Sequence, residues 1–149
     1  MTVINESEPP LTDKEIEIIH KRLGYKLPDE YRQFLQVSNG GVPSPDAVRH
    51  DGEYYDYVSC FYAVRNNAYS NDLFVNIEEY KDLILSHYLP IGDSPGGNVY
   101  CISLKAEDFG AVYFWDHDEA NYEGEPWEFN MTLLSPSFNK FIESLYSES

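Results

Sequence analysis

The residues with the most obvious chemical potential are Asp116-His117-Asp118-Glu119, four consecutive side chains able to bind a metal or move a proton. At the end of a strand, alternate side chains point to opposite faces, so these four converge poorly on one ion. The chain contains no HExxH, no paired CxxC and no second His at ligand spacing. Ser94-Pro95-Gly96-Gly97 is glycine-rich, but it lacks the Lys and Ser/Thr of a phosphate-binding loop and precedes a strand, so it is read as a turn. Neither Cys60 nor Cys101 has a plausible His nearby in sequence, and there is no GxSxG. No catalytic residue, metal site or cofactor is therefore expected, and the reading is of a protein that is not an enzyme.

Charge is the feature that remains. Among 149 residues, 26 Asp and Glu face 10 Lys and Arg, a formal net charge of −16. That balance repels nucleic-acid phosphates and anionic membranes and attracts a basic protein. It is also uneven. Half of the basic residues, Lys14, Lys21, Arg22, Lys26 and Arg32, lie in the first 32 residues. From 106 to 139 there is no Lys or Arg but eight acids: Glu107, Asp108, Asp116, Asp118, Glu119, Glu123, Glu125 and Glu128. Such a run is either a solvated face that keeps the protein soluble or a surface complementary to a basic partner. Trp115, Tyr122 and Trp127 are interleaved with these acids, and aromatic anchors beside charges are typical of interface hot spots; Trp115 is instead expected in the core. The candidate partner-binding residues here are Asp116, Asp118, Glu119, Tyr122, Glu123 and Glu125. A second acidic and aromatic patch supplies Asp51, Glu53, Tyr55 and Asp56. In a strand, Tyr55 and Tyr57 would face one way, and Tyr54 and Asp56 the other.

The elements that position these residues follow from periodicity and caps. Thr12-Asp13-Lys14-Glu15 is a capping box that opens a helix with Ile16, Ile19 and Leu23 on one face, ended by Gly24. A second helix opens at Pro28 with Asp29 and Glu30 at its positive end, buries Tyr31, Phe34 and Leu35, and stops at Asn39-Gly40-Gly41. The two are expected to pack as a hairpin. Residues 42–53 read as loop, 54–64 as a strand, and a third helix is expected from Asn76, with Glu79 completing a weaker capping box, to about His87. An extended piece at 89–92 and a turn at 93–97 follow. Strands at 98–104 and 111–115 form an antiparallel hairpin, a strand at 127–134 comes next, and a last helix from about Ser135 carries Phe138, Phe141, Ile142 and Leu145.

The fold class is thus α+β: a mainly antiparallel sheet flanked by an N-terminal helix hairpin, a middle helix and a C-terminal helix. Length and a hydrophobic content of 42% suit one domain, taken as 11–146, with 1–10 as a flexible tail. No run approaches the ~18 apolar residues of a membrane span. The polar, acidic N-terminus is unlike a signal peptide, so a cytoplasmic location with both cysteines reduced and buried is expected.

Three blocks carry a family resemblance. The first is Leu23-Gly24, Leu27-Pro28, Tyr31, Phe34-Leu35 and Asn39-Gly40-Gly41. The second is Leu89-Pro90-Ile91-Gly92, Gly97-Asn98, Gly110, Val112-Tyr113-Phe114-Trp115 and Asp116-His117. The third is Ser137-Phe138 with Phe141. In order and spacing the chain resembles the SUKH superfamily from about Leu11 to Leu145, a group of fungal cell-wall regulators of the Smi/Knr type and bacterial immunity proteins. The resemblance implies a SUKH-like domain without a catalytic centre. It further implies an immunity protein that binds and neutralises a cognate bacterial polymorphic toxin, with a basic nuclease as the expected type; the alternative is a cytoplasmic regulatory or scaffold protein binding a cellular partner. A hydrolase or metal enzyme is the third class. The segment 42–73, long and rich in Tyr, departs most from the family pattern.

Overall fold

Local chemistry sets where the helices begin. In the computed structural model, which describes residues 1–65 and 69–148, the Thr12 hydroxyl accepts the Glu15 N–H and the Glu15 carboxylate accepts the Thr12 N–H. This box opens α1 (Asp13–Leu23), which ends on Gly24 at φ 86°, a left-handed conformation that glycine adopts without strain. Pro28 precedes α2 (Asp29–Val37), and the Ser137 hydroxyl caps α4 (Phe138–Ser144) by accepting the Lys140 N–H. The helix between them, α3, spans Leu73–Tyr80.

Among the described residues there are nine strands: β1 (Val3–Asn5), β2 (Val42–Ser44), β3 (Ala47–His50), β4 (Glu53–Tyr57), β5 (Cys60–Phe61), β6 (Tyr88–Asp93), β7 (Val99–Ser103), β8 (Val112–Trp115) and β9 (Met131–Ser135). The last five form one antiparallel sheet in the order β5-β6-β7-β8-β9. β1 pairs with β2, and β3 with β4, as two separate antiparallel ribbons. The fold is α+β with mainly antiparallel strands, as the periodicity predicts.

The sheet is covered on both faces, which is why all five residues of β7 are buried. On one face Ile16 and Ile19 of α1, Tyr31 and Leu35 of α2, and Phe138 and Phe141 of α4 pack with Ile91, Tyr100, Ile102 and Phe114. On the other, Ile84 and Tyr88 meet Val99, Cys101 and Trp115, and the Tyr80 ring lies 5.5 Å from that of Trp115. Trp115 is 1% exposed, a core residue as expected. The two N-terminal helices are tied by the Leu11 N–H donating to Leu35 O and the Gln36 amide donating to Asp13 Oδ1.

Four expectations are corrected. The first ten residues are partly structured: Val3–Asn5 pairs with β2, and Glu8 N–H donates to Asn39 O. Residues 42–53 hold β2 and β3 as well as loop, because Asp51 (φ 53°) and Gly52 (φ 79°) make a two-residue hairpin turn between His50 and Glu53. The expected strand at 54–64 is split between two sheets, β4 in the ribbon and β5 at the edge of the main sheet. The cap of α3 lies four residues before the expected cap at Asn76. Asp72 is the cap, its carboxylate accepting the Val75 N–H, while the Asn76 amide donates back to Ser70 O and Asp72 O from inside the helix.

Both cysteines are free and buried. Burial, reinforced by the Asp93 carboxylate, pushes the Cys60 thiol up to about 12, and burial raises Cys101 as well. A thiol-specific reagent at mildly alkaline pH is therefore expected to leave both cysteines of the native chain unmodified and to label two on unfolding; rapid native labelling would contradict this placement.

Candidate functional site

The loop between β8 and β9 is closed upon itself by its own main-chain carbonyls. As the chain leaves β8, the Asp116 carboxylate accepts the Asp118 N–H (3.0 Å) and caps a short 3-10 turn, His117–Glu119. The Tyr122 hydroxyl donates to His117 O (2.8 Å), the Trp127 indole N–H to Glu119 O (3.0 Å) and the Asn121 amide to Glu125 O (2.8 Å). The Asn130 amide donates to Asp116 O, and the Asp116 N–H to Asn130 O, sealing the base. These bonds use carbonyls and leave carboxylates free. Among the described residues, Glu119, Glu123 and Glu125 have no hydrogen-bond or ion-pair partner for their carboxylates, and Asp118 has only His117, at 3.6 Å. The loop is a fixed scaffold with exposed acids, which lowers the ordering cost of binding.

The second acidic patch lies beside it, although about sixty residues separate the two in sequence. Asn98, in the turn before β7, makes the connection. Its amide donates to Asp56 Oδ2 (3.2 Å), and its Oδ1 accepts the His117 N–H (3.0 Å). The β3–β4 ribbon is also pinned to the sheet by Tyr55, whose ring packs edge-on to Phe114 (4.8 Å) and whose hydroxyl reaches Thr132. Tyr55 is the extra residue where the ribbon's register shifts. Simple alternation fails there, and the rings of Tyr54 and Tyr57, expected on opposite faces, come within 5.2 Å.

The ten candidate residues thus divide by what their side chains do. Tyr55, Asp56 and Asp116 have internal partners. Asp51 and Glu53 are exposed on the hairpin turn, with Asp51 3.5 Å from His50. Asp118, Glu119, Tyr122, Glu123 and Glu125 are exposed on the loop. Two features were not legible from residue types alone: the bridging role of Asn98, read only as the first residue of the 98–104 strand, and the exposure of Phe129 (74%) at the end of the loop and of Leu133 (49%) in β9. Counting alternate positions after Trp127 marks Phe129, Met131 and Leu133.

The far end of the loop is anchored by Glu128. His87 Nε2 lies 2.7 Å from its Oε1, and the Tyr88 hydroxyl donates to its Oε2 (2.7 Å). This anchor explains why β9 begins at Met131 and not at 127 as expected: the Met131 N–H donates to Glu128 O in a turn. Lys105 reaches the Tyr88 and Tyr113 hydroxyls nearby, and Tyr113 in turn donates to Asp108. Burial raises the Glu128 carboxyl, but the bonds from Tyr88 and His87 outweigh it, and the net shift is downward. A carboxylate with a lowered folded value contributes stability that is present above the ordinary Glu range and lost as pH falls through the folded value. Glu128→Gln is therefore expected to cost about 0.5–1 kcal/mol at neutral pH, a value discounted for its exposure, and nothing below the carboxylate range. Chemical denaturation at both pH values checks this.

Among the described residues, no group of three His, Cys, Asp or Glu is placed to hold a metal ion, and no helix is long and apolar enough to cross a membrane. Two surface grooves of about 410 and 550 Å³ lie at the helical side, the first lined by α1 and α2, the second by Arg22, Phe74, Ile77 and Tyr80. Neither is lined by the acidic loop.

Comparison with known proteins agrees with this architecture. The SMI1 / KNR4 family (SUKH-1) matches residues 10–144. The chain is 25% identical to the SPbeta prophage-derived uncharacterized protein YokK of Bacillus subtilis, over 92% of this chain and 76% of that protein. A crystal structure of a protein from Pseudomonas syringae pv. tomato superposes with a TM-score of 0.53 at 15% identity, over 80% of each chain, a likeness of fold.

Proposed function

Since this chain belongs to the SMI1/KNR4 family (SUKH-1), we propose that it acts by stoichiometric binding as an immunity protein. Its partner is a cognate bacterial toxin domain with a basic surface, and no turnover is involved. The observation that carries the reading is the closed loop 116–130, whose free carboxylates stand on a scaffold already in place. Such acids attract a cationic surface from a distance, accelerate encounter and suppress acidic competitors. Tyr122 and Trp127, exposed yet hydrogen-bonded, offer rigid aromatic contact area among them. Asp51 and Glu53 extend the same charge from the neighbouring ribbon. Against a nuclease, the carboxylates would occupy the groove that otherwise holds phosphates. Action inside the bacterial cell, in the cytoplasm, follows from that role, and the prophage origin of a relative is compatible with a bacterial setting.

The test is affinity capture with the tagged chain from its native host, followed by co-expression of the captured protein with and without this chain. A basic protein whose toxicity is suppressed by co-expression is the expected outcome. Capture of a non-toxic partner that binds equally at low and high salt would overturn the reading in favour of a regulatory or scaffold role.

A further inference from the structure

Four of the eleven exposed large hydrophobic side chains among the described residues fall within one short segment: Tyr122, Trp127, Phe129 and Leu133. Isolated exposed hydrophobics are ordinary; a cluster is not. The cluster has a definite place in the fold. β9 is an edge strand of the main sheet. In its register Leu133 lies opposite Tyr113, and Met131 opposite Trp115. Directly opposed residues share a face, so Met131 and Leu133 lie on the face that Tyr80 and Ile84 cover over β7 and β8. That cover stops short of Leu133. The alternate residues Thr132 and Leu134 turn to the opposite face, where Thr132 meets Tyr55 and Leu134 joins the main core. Just before β9, Trp127 and Phe129 pack edge to face (5.7 Å), and Glu128 between them is clamped to His87 and Tyr88. Trp127 and Phe129 therefore stand against each other beside a fixed Glu128, and Leu133 follows them on the edge strand.

We propose that this strip, Trp127, Phe129 and Leu133, is the second half of the docking surface. It receives the apolar side chains of a partner segment whose basic side chains meet Glu119, Glu123 and Glu125. The inference rests on the binding role proposed above and adds the chemistry of the partner's contact element: amphipathic, with cationic and apolar residues on one recognition face. Charge complementarity selects that occupant over a second copy of this chain. A two-fold contact through the strip would bring two copies of the acidic loop together, in a chain of net charge −16.

The experiment uses the full chain and two synthetic peptides of equal length and charge, one of Lys and Leu, the other of Lys and Ser, followed by fluorescence anisotropy. The Lys–Leu peptide is expected to bind at least about tenfold more tightly, the contribution of burying one or two apolar side chains. In F129S/L133S, which alters only exposed positions and keeps Trp127, most of the preference for Lys–Leu should be lost, while Lys–Ser binds as it does to the wild type. In E119Q/E123Q/E125Q both should weaken while their ratio persists. Equal binding of the two peptides to the wild type, or a preference for Lys–Leu that F129S/L133S leaves undiminished, overturns the strip. Unchanged binding of Lys–Ser to the Gln variant would instead strike at the acidic-loop reading and leave the strip standing. A wild-type dimer in sedimentation that F129S/L133S dissociates would assign the strip to a second copy and contradict the proposal.

Discussion

Exchanging Asp118, Glu119, Glu123 and Glu125 for Lys is expected to weaken binding of a basic protein partner by at least about a hundredfold, or ~2.7 kcal/mol. Each exchange shifts the local charge by two, so the loop changes from attracting a cationic surface to repelling it. The fold should survive. All four side chains are exposed, and the bonds closing the loop come from Tyr122, Asn121, Trp127 and Asn130. Calorimetric titration measures the affinity, and thermal unfolding verifies the fold. The loss should fall largely on the association rate, and binding to the variant should no longer weaken with added salt. Full affinity in the variant would remove the loop from the interface.

The second large effect concerns stability. Phe138 is 1% exposed, and its ring meets Tyr31 at 5.5 Å, Phe34 at 5.0 Å and Phe61 at 5.7 Å. One side chain therefore joins α4, α2 and the edge strand β5. Phe138→Ala removes the ring and leaves a cavity that three anchored elements cannot easily close, at a cost of about 3–5 kcal/mol. That is a large share of the roughly 5–15 kcal/mol of a typical domain, and it should lower the unfolding temperature by roughly 10 °C. A change of only a degree or two would mean that the cluster relaxes around the missing ring.

Much of the fold was legible because local and tertiary preferences agree. The Thr12–Glu15 box, the Gly24 stop and the β7–β8 hairpin all lie where sequence chemistry puts them. The misses share a physical cause: a side chain found a partner that local pattern does not reveal. Asn76 resembles a helix cap, yet it lies inside the helix with its amide turned back to the Ser70 and Asp72 carbonyls that precede it, and Asp72 takes the capping role. The 127–130 stretch has strand-like residues, yet the Trp127 indole and the Glu128 carboxylate are bound elsewhere, and the strand waits until Met131. Asp51-Gly52 is a strong hairpin signal that was masked by the Pro and charge around it.

For the candidate site, residue types revealed which side chains carry charge but not which are free to use it. Asp56 and Asp116 look like Asp118 in sequence. In the fold their carboxylates serve Asn98 and the Tyr57 N–H in one case and the Asp118 N–H in the other. The proximity of the two acidic patches depends on Asn98, and no periodicity predicts a contact over that separation.

Binding without turnover makes a quantitative demand on a titration of the captured partner's toxic activity with this chain. With the partner held at a concentration well above its dissociation constant, activity should fall in a straight line and vanish at one equivalent of this chain. Complete loss at a small fraction of an equivalent would mean that the chain acts catalytically, and undiminished activity in excess of it would mean that it does not neutralise its partner; either result would contradict the account.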